Sequence, residues 1–226
     1  MKRNLPFIII GGVLLALLGV GVMMFRSNQA TTPVVELPQP TATPESSPGA
    51  DLPLKPQIAV PKAFVTIDEY GDYQCPPCGG LHPVIKGLKA EYGDKVKLTF
   101  YHLPLTTIHK NALVAAHAAI AAKQQGRFWE MHNKLYETQE VWSELPDIHA
   151  VASAYARELG LNVELFNRDI DSRTVAGLVQ ADMNRAAGMK IDSTPTLLIE
   201  GQPFPNDKLS PENLRIVINR FLTGRP

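Results

Sequence analysis

Residues 65–78 read VTIDEYGDYQCPPC, and this stretch decides which fold the chain can adopt. β-Branched and aromatic side chains dominate residues 63–70, which predicts a strand. The two cysteines follow at once, and apolar residues at helical spacing predict a helix over residues 82–92. Residues 95–102 again have the composition of a strand. The order strand, helix, strand therefore places the cysteine pair at the start of a helix that follows a strand.

The remainder of the chain extends this pattern into an α/β fold. Apolar spacing and terminal glycines predict further helices over residues 108–125, 128–136, 148–159, 163–170 and 174–187. A strand over residues 196–200 then turns at Gly201 and returns at residues 203–204, which indicates a hairpin. The last predicted helix has Ser210 as its N-cap and Pro211 as its first residue. A helical block is thus inserted between the second and third strands.

The N-terminal part has a different character. Residues 7–25 are an apolar run without a charged side chain, long enough to span a bilayer. We expect residues 1–26 to form a transmembrane signal anchor, with the basic residues before the apolar run on the cytoplasmic side. Residues 27–61, rich in Pro, Thr and Ser, are expected to be a linker, and residues 62–226 a domain outside the cytoplasm. The alternative is cleavage after Ala30 and secretion.

The composition argues against several classes of protein. The 226 residues contain 22 basic and 22 acidic side chains, whereas a nucleic-acid-binding domain normally has a basic excess. Two cysteines are too few for a domain held together by disulfides. Neither a GxSxG motif nor a phosphate-binding loop occurs, so hydrolase and nucleotide-binding functions have no support. We identify no dimerisation segment between the anchor and the domain, and we expect a monomer.

The spacing of the two cysteines predicts redox chemistry. A cysteine at a helix N-terminus feels the partial positive charge of free backbone N–H groups, which favours its thiolate, so Cys75 is the expected nucleophile. Cys78, one helical turn later and more buried, is expected to resolve a mixed disulfide with a substrate. Pro76 and Pro77 preset the backbone for a helix start, but they also remove two N–H donors.

Three other interpretations of the pair are weaker. A structural disulfide across so short a loop would restrain little of the unfolded chain. A metal site would need more soft ligands, although His82 is near in sequence. Attachment of a c-type haem requires a histidine directly after the second cysteine, and Gly79 stands there. We therefore expect no metal and no cofactor beyond a redox-active disulfide between Cys75 and Cys78.

With these features the sequence resembles the DsbA-like branch of the thioredoxin superfamily, the exported thiol-disulfide oxidoreductases. The resemblance rests on VTIDEYGDYQCPPC, on the later STPTLLIEG, and on the helical block between them, and it covers residues 62–221. It implies a thioredoxin fold with a helical insertion and a cis-proline loop beside the cysteines. Thr194 and Pro195 match that loop, whose backbone pairs with the substrate chain in the family.

Glu69 matches an acidic residue that lies six positions before the first cysteine in the family. It shares one strand face with Val65 and Ile67, so its carboxylate is expected on the apolar side, beneath the cysteines. Burial raises the pKa of a carboxyl group, which would let Glu69 take a proton from Cys78 as that thiol attacks. The alternative is a solvated acid at the end of the strand. Asp72 is instead expected to be an exposed turn residue.

The expected activity is disulfide exchange with exported polypeptides. The first hypothesis is an oxidase that a quinone-linked membrane partner reoxidises, as the resemblance implies. Pro77 stands where the best-known oxidants of the family have a histidine whose charge stabilises the thiolate, so the direction of redox flow stays open. A reductase fed by a membrane thiol reductant is the second hypothesis. A non-catalytic thiol- or metal-binding module is the third.

Other chemistry-bearing residues are expected to be structural. The histidines lack the spacing of a metal site and are assigned to surface or satisfied core positions: His82, His102, His109, His117, His132 and His149. Large aromatic residues of the helical block are assigned mainly to core packing: Phe128, Trp129, Tyr136 and Trp142.

Overall fold

The computed structural model describes residues 62–224. The expected transmembrane anchor over residues 1–26 and the expected linker over residues 27–61 lie outside them. Within the described residues, no helix combines the length and the apolar character that crossing a bilayer requires.

Within residues 62–224, four strands form a single mixed sheet in the order β2-β1-β3-β4. The strands are β1 (Val65–Gly71), β2 (Val96–His102), β3 (Thr196–Ile199) and β4 (Gln202–Phe204). β1 pairs with β2 in parallel and with β3 antiparallel, so it is a central strand. The β3–β4 hairpin turns through Glu200 and Gly201, which have φ values of 53° and 75°. A two-residue turn with both φ values positive matches the right-handed twist of the paired strands.

The described part of the chain contains eight α-helices. They are α1 (Pro76–Tyr92), α2 (Ala112–Gln124), α3 (Phe128–Glu137), α4 (Gln139–Trp142), α5 (His149–Glu158), α6 (Val163–Ile170), α7 (Arg173–Gly188) and α8 (Pro211–Thr223). Helices α2 to α7 form the insertion between β2 and β3, as the sequence predicts.

Two predicted helix boundaries differ from the structure. Helix α1 begins at Pro76 and not at residue 82, and it continues past Pro83, whose missing N–H removes only one hydrogen bond of the helix. Helix α2 begins at Ala112 and not at residue 108. The preceding segment is a turn in which the N–H groups of Ile108 and His109 both donate to the Leu105 carbonyl.

The two faces of the sheet pack against different helices. Val65 and Ile67 of β1 belong to a core cluster with residues of α1 and α8, including Leu88 and Leu214. Tyr70, on the opposite face of β1, packs in a small cluster with Ala186 of α7. A third cluster fills the inserted helices and extends to both cysteines. The loop of residues 72–75, which leads from β1 to α1, is therefore buried between the sheet and the insertion.

Candidate active site

Both cysteines lie at the N-terminus of α1. Cys75 is the N-cap in an extended conformation, and Cys78 lies in the first turn. Both are free thiols, 5% and 0% exposed. Because Pro76 and Pro77 have no N–H, the Cys78 N–H is the first donor of the helix. The next N–H group, that of Gly79, donates to the Cys75 carbonyl at 3.1 Å. The Cys78 N–H instead donates to the Cys75 sulfur.

The Cys75 thiol is acidified by its neighbours. Its pKa is lowered from 9.0 to about 6, first because the Cys78 thiol donates a hydrogen bond to the Cys75 thiolate. Thr194 and the backbone N–H of Cys78 contribute in the same direction. Burial and the negative charge of Asp72 oppose the shift. At neutral pH the reduced site therefore carries a thiolate at Cys75.

The Cys78 thiol changes in the opposite direction. Its pKa is raised well above 9.0, first because its hydrogen bond to Cys75 holds its proton and second because it is buried. The two thiols thus share one proton, and that proton stays on Cys78. This asymmetry makes Cys75 the nucleophile of the pair in chemical terms.

The loop that carries Pro195 completes the thiol environment. The Thr194–Pro195 peptide bond is cis, and the Cys75 Sγ lies 3.5 Å from the Thr194 carbonyl oxygen. Beside the loop and the start of α1 is an open groove of about 410 Å³ with both polar and apolar lining. Its lining residues are Pro77, Gly80, Leu81, Val84, Thr194, Pro195, Asn206 and Leu209. An extended chain could reach both Cys75 and the loop backbone there.

Glu69 is buried on the face of β1 that packs against α1. The residue is 1% exposed, and its Oε1 has no hydrogen-bond partner among the described residues. Burial raises the pKa of the carboxyl group from 4.5 to about 8. The carboxyl group is therefore protonated at neutral pH and can act as an acid.

Asp72 is not an exposed turn residue, and that expectation is wrong. It is 1% exposed, and its carboxylate accepts hydrogen bonds from the backbone N–H groups of Gln74 and Leu105 at 2.7 and 2.9 Å. The His109 Nδ1 lies 2.7 Å from the same carboxylate. Two of these partners come from the segment after β2, which closes over the loop and excludes water.

Sequence reasoning did not identify the polar residues that hold the active-site loop. The Gln139 Nε2 donates to the carbonyls of Tyr73 and Cys75 at 2.7 and 3.0 Å. The Gln74 Oε1 accepts from the Asn111 N–H at 2.7 Å, and its Nε2 donates to the Ser143 carbonyl at 2.7 Å. These partners lie dozens of residues apart, so no local motif marks them. The insertion thereby holds the loop at the carbonyls of Tyr73 and Cys75 and at the Gln74 side chain.

An aromatic cluster lies between β1, β2 and α3. The Tyr73 ring packs against Phe100, His132 and Tyr136, with ring centroids 5.2, 5.5 and 4.9 Å away. The Tyr73 hydroxyl lies 3.1 Å from the His132 Nδ1. Burial lowers the pKa of His132 well below 6.5, so its imidazole is neutral.

Two structural assignments made from sequence need correction. Trp129 is 40% exposed and lines a second cavity of about 380 Å³ together with His82 and His132, so it is not a core residue. His102 is buried, but only its Nδ1 has a partner, Asp182 at 2.7 Å. Its Nε2 has none within residues 62–224, so His102 is not fully satisfied.

The described residues contain no candidate metal site. Among residues 62–224, no group of three or more His, Cys, Asp or Glu side chains could hold a metal ion. An acidic thiol, a protonated thiol one turn later and a cis-proline loop are the elements of dithiol-disulfide exchange. Fold and site together define the class of the thiol-disulfide oxidoreductases.

Comparison with known proteins identifies the family. A family model described as thioredoxin matches residues 55–220, and the chain belongs to this family. A thioredoxin-like oxidoreductase from Silicibacter pomeroyi is 25% identical with a TM-score of 0.58, over 77% of this chain and 92% of that one. Oxidised BdbD from Bacillus subtilis is 24% identical with a TM-score of 0.63, over 78% and 95%. The chain therefore has a DsbA-like thioredoxin fold.

Curated relatives that match are much longer proteins. The Na(+)/H(+) antiporter NhaA 3 of Salinispora tropica is 34% identical over 168 residues, which are 73% of this chain and 24% of that protein. The antiporter NhaA 1 of Mycolicibacterium gilvum is 36% identical over 146 residues, 63% of this chain and 22% of that protein. This chain thus spans about a quarter of their length.

Proposed function

We propose that the chain is a membrane-tethered, extracytoplasmic thiol-disulfide oxidase that passes the Cys75–Cys78 disulfide to exported polypeptides. The opposite pKa shifts of the two thiols carry the proposal. A thiolate at Cys75 is a good leaving group when a substrate takes over the disulfide, and Cys78 is the better proton acceptor.

The reaction proceeds by two exchanges. A substrate thiolate attacks the Cys75 sulfur, a bond forms between these two sulfurs, and the Cys75–Cys78 bond breaks with its electron pair on Cys78. Cys78 then takes up a proton. A second substrate thiolate attacks the first substrate sulfur, the mixed disulfide breaks, and Cys75 leaves as a thiolate. The substrate has lost two electrons, and the protein has gained them.

The groove beside the cis-proline loop is the proposed substrate site. The apolar residues among its lining, Leu81, Val84 and Leu209, suit side chains of an unfolded polypeptide. Backbone groups at Thr194 and Pro195 would pair with the substrate chain, as an added strand does. Such backbone recognition is independent of substrate sequence and fits a protein that acts on many clients.

Glu69 is the proposed proton donor. Its protonated carboxyl group, buried on the face of β1 that packs against α1, would supply the proton that Cys78 needs when the disulfide opens. The same group, once ionised, can take the proton back when Cys78 attacks a mixed disulfide.

The acidity of Cys75 favours oxidation but sets only part of the potential. At pH 7, lowering a thiol pKa from 9 to about 6 stabilises the reduced form by about 1.4 kcal/mol, or about 30 mV. Strong oxidants and thioredoxin-like reductants differ by about 150 mV. Pro77, uncharged where a histidine would add to the stabilisation, keeps a thiol reductase as the second candidate.

Membrane attachment is proposed from the N-terminal sequence. The apolar run over residues 7–25, after two basic residues, would anchor the chain, and residues 27–61 would let the domain reach clients and a quinone-linked membrane oxidase. Membrane fractions extracted at alkaline pH should retain the protein, and added protease should cleave it in intact spheroplasts. Release on extraction would contradict the anchor.

The reduction potential separates oxidase from reductase. We would equilibrate the full chain with glutathione buffers and trap its free thiols. A potential near about −120 mV, with a disulfide state in growing cells, supports the oxidase. A potential near about −270 mV, with free thiols in growing cells, would favour the reductase.

A further inference from the structure

The turn that leads into Cys75 is built around Asp72. The Cys75 N–H donates to the Asp72 carbonyl at 3.1 Å, which closes a turn over residues 72–75. Within this turn the Gln74 N–H donates to the Asp72 Oδ1 at 2.7 Å. An aspartate side chain that accepts from the backbone two residues later shapes a turn in this way. The path of the backbone into Cys75 therefore depends on where the Asp72 side chain lies.

The other carboxylate oxygen of Asp72 binds the segment that follows β2. The Asp72 Oδ2 accepts the Leu105 N–H at 2.9 Å and lies 2.7 Å from the His109 Nδ1. Because an ionised carboxylate only accepts hydrogen bonds, the His109 Nδ1 carries a hydrogen and donates it. The His109 N–H donates in turn to the Leu105 carbonyl at 2.9 Å, so this segment is itself a closed turn. Asp72 thus joins two turns that are distant in sequence.

These contacts are buried and involve a charge. The Asp72 side chain is fully buried, and the His109 side chain is 16% exposed. A hydrogen bond to an ionised group is roughly twice as strong as one between neutral groups, and low local polarity strengthens it further. Three donors therefore hold the carboxylate in one place, and one of them, the imidazole, is partly open to solvent.

The charge of Asp72 acts against the thiolate that the reaction needs. It raises the pKa of Cys75, in opposition to the hydrogen bond from the Cys78 thiol that lowers it. If charge were its only contribution, Cys75 would be more acidic with a neutral residue in place of Asp72. An unfavourable charge beside the nucleophile, held by three hydrogen bonds, indicates that the carboxylate serves the geometry of the turn.

We propose that Asp72 is a positioning residue for Cys75. Its carboxylate connects the turn over residues 72–75 to the segment after β2, and His109 supplies one of the bonds that hold it. The turn in this way keeps the Cys75 sulfur where the Cys78 thiol donates to it. The inference rests on the proposed function, in which Cys75 forms the mixed disulfide and leaves as a thiolate, and it adds two residues to that site.

Asp72→Asn separates position from charge, because the two predict opposite signs. Asparagine keeps the size of the side chain but removes its charge, and its amide N–H₂ would face the donors of Leu105 and His109. Loss of the charge alone would lower the pKa of Cys75 below about 6. Loss of the positioning contacts weakens the hydrogen bond from Cys78, so we expect the pKa to rise by at least about half a unit.

The measurement is the ultraviolet absorbance of the thiolate against pH, in the reduced full chain. Asp68→Asn removes a half-buried carboxylate from the other face of β1 and should leave the pKa of Cys75 at the parent value. A pKa of Cys75 in Asp72→Asn at or below that of the parent would overturn the proposal.

A pair of His109 variants repeats the test with Asp72 in place. His109→Leu removes the donor, whereas His109→Asn keeps an N–H donor close to the position of the Nδ1 but cannot become a cation. His109→Leu should raise the pKa of Cys75 by less than Asp72→Asn does, and His109→Asn should match the parent. Equal rises in both His109 variants would mean that the imidazole acts through its charge and would overturn the positioning role. If Asp72→Asn does not fold, this pair decides alone.

The test does not depend on the direction of redox flow, because it is made on the reduced protein. A pKa of Cys75 near 9 in the parent would remove the thiolate on which the proposed function rests, before any variant is compared. With an acidic Cys75 in the parent, the variants decide the role of Asp72, and the reduction potential separately decides between oxidase and reductase.

Discussion

Cys78 controls the acidity of Cys75, because the hydrogen bond from its thiol is the largest cause of the lowered pKa. We expect Cys78→Ala to raise the pKa of Cys75 by one unit or more towards 9.0. Cys78→Ser keeps a donor at the same place and should preserve most of the shift. The ultraviolet absorbance of the thiolate, measured against pH, gives both values. Equal pKa values in the two variants would mean that the helix N-terminus and Thr194 dominate.

Glu69 should make the protein less stable as the pH rises. Its folded pKa of about 8 lies above its ordinary value of 4.5, so the folded state binds the extra proton between these values. The parent therefore loses stability across this window, by roughly 3 kcal/mol between pH 5 and pH 8, and Glu69→Gln does not.

Urea unfolding of the reduced full chain at several pH values measures this difference. The free energy of unfolding of Glu69→Gln should increase steadily relative to that of the parent as the pH rises. Asp68→Asn, which removes a half-buried carboxylate from the other face of β1, is the matched control. If the difference in free energy of unfolding between Glu69→Gln and the parent stays constant from pH 5 to pH 8, Glu69 is ionised over that whole range.

At the scale of elements, the close packing of β1 against α3 depends on Gly71. A Cβ atom there would lie 2.5 Å from the Phe100 Cε2 and 2.9 Å from the Tyr136 hydroxyl. Gly71→Ala should lower the free energy of unfolding by about 1 to 3 kcal/mol, since the rings must move.

Gly87→Ala is the control for this change, measured by the same urea unfolding. It lies in α1 with nothing within 4 Å of an added Cβ atom, and alanine favours a helix, so we expect a gain of up to about 1 kcal/mol. If Gly71→Ala unfolds like the parent, the aromatic cluster is loosely packed.

The sequence predicts elements better than it predicts contacts between them. Strand composition and helix spacing depend on neighbouring residues, so the order of elements and the position of the cysteine pair follow from the sequence. The burial of Asp72 does not, because its partners Leu105 and His109 come from beyond β2. The close approach of the Tyr136 hydroxyl to Gly71 also could not be predicted, because it depends on how α3 packs on the sheet.

At the scale of the whole molecule, the redox state of the thiols should couple to stability through pH. The reduced form has a Cys75 pKa of about 6, below the ordinary value, so this thiol stabilises the fold at higher pH and the contribution is lost as the pH falls through 6. The oxidised form has no such thiol. The stability of the reduced form relative to the oxidised form should therefore rise from about pH 6 to about pH 8.5.

Above about pH 8.5, Cys78 lowers the stability of the reduced form as the pH rises. Its pKa is raised in the folded state, so the unfolded state loses this proton more easily. Urea unfolding of both redox forms of the full chain, at equal pH steps, measures the difference. Because Glu69 is present in both forms, its own titration largely cancels. A difference that does not change between pH 6 and 8 would contradict the acidity of Cys75.

The confinement of both cysteines of the chain to one helix start makes the protein its own reporter. No third sulfhydryl exists to dilute a labelling signal or to form a stray cross-link. Mass added by an alkylating reagent counts the electrons stored at the site, in a cell lysate as well as in a test tube. Any covalent complex with a client that a reductant cleaves must be joined through one of these two sulfurs.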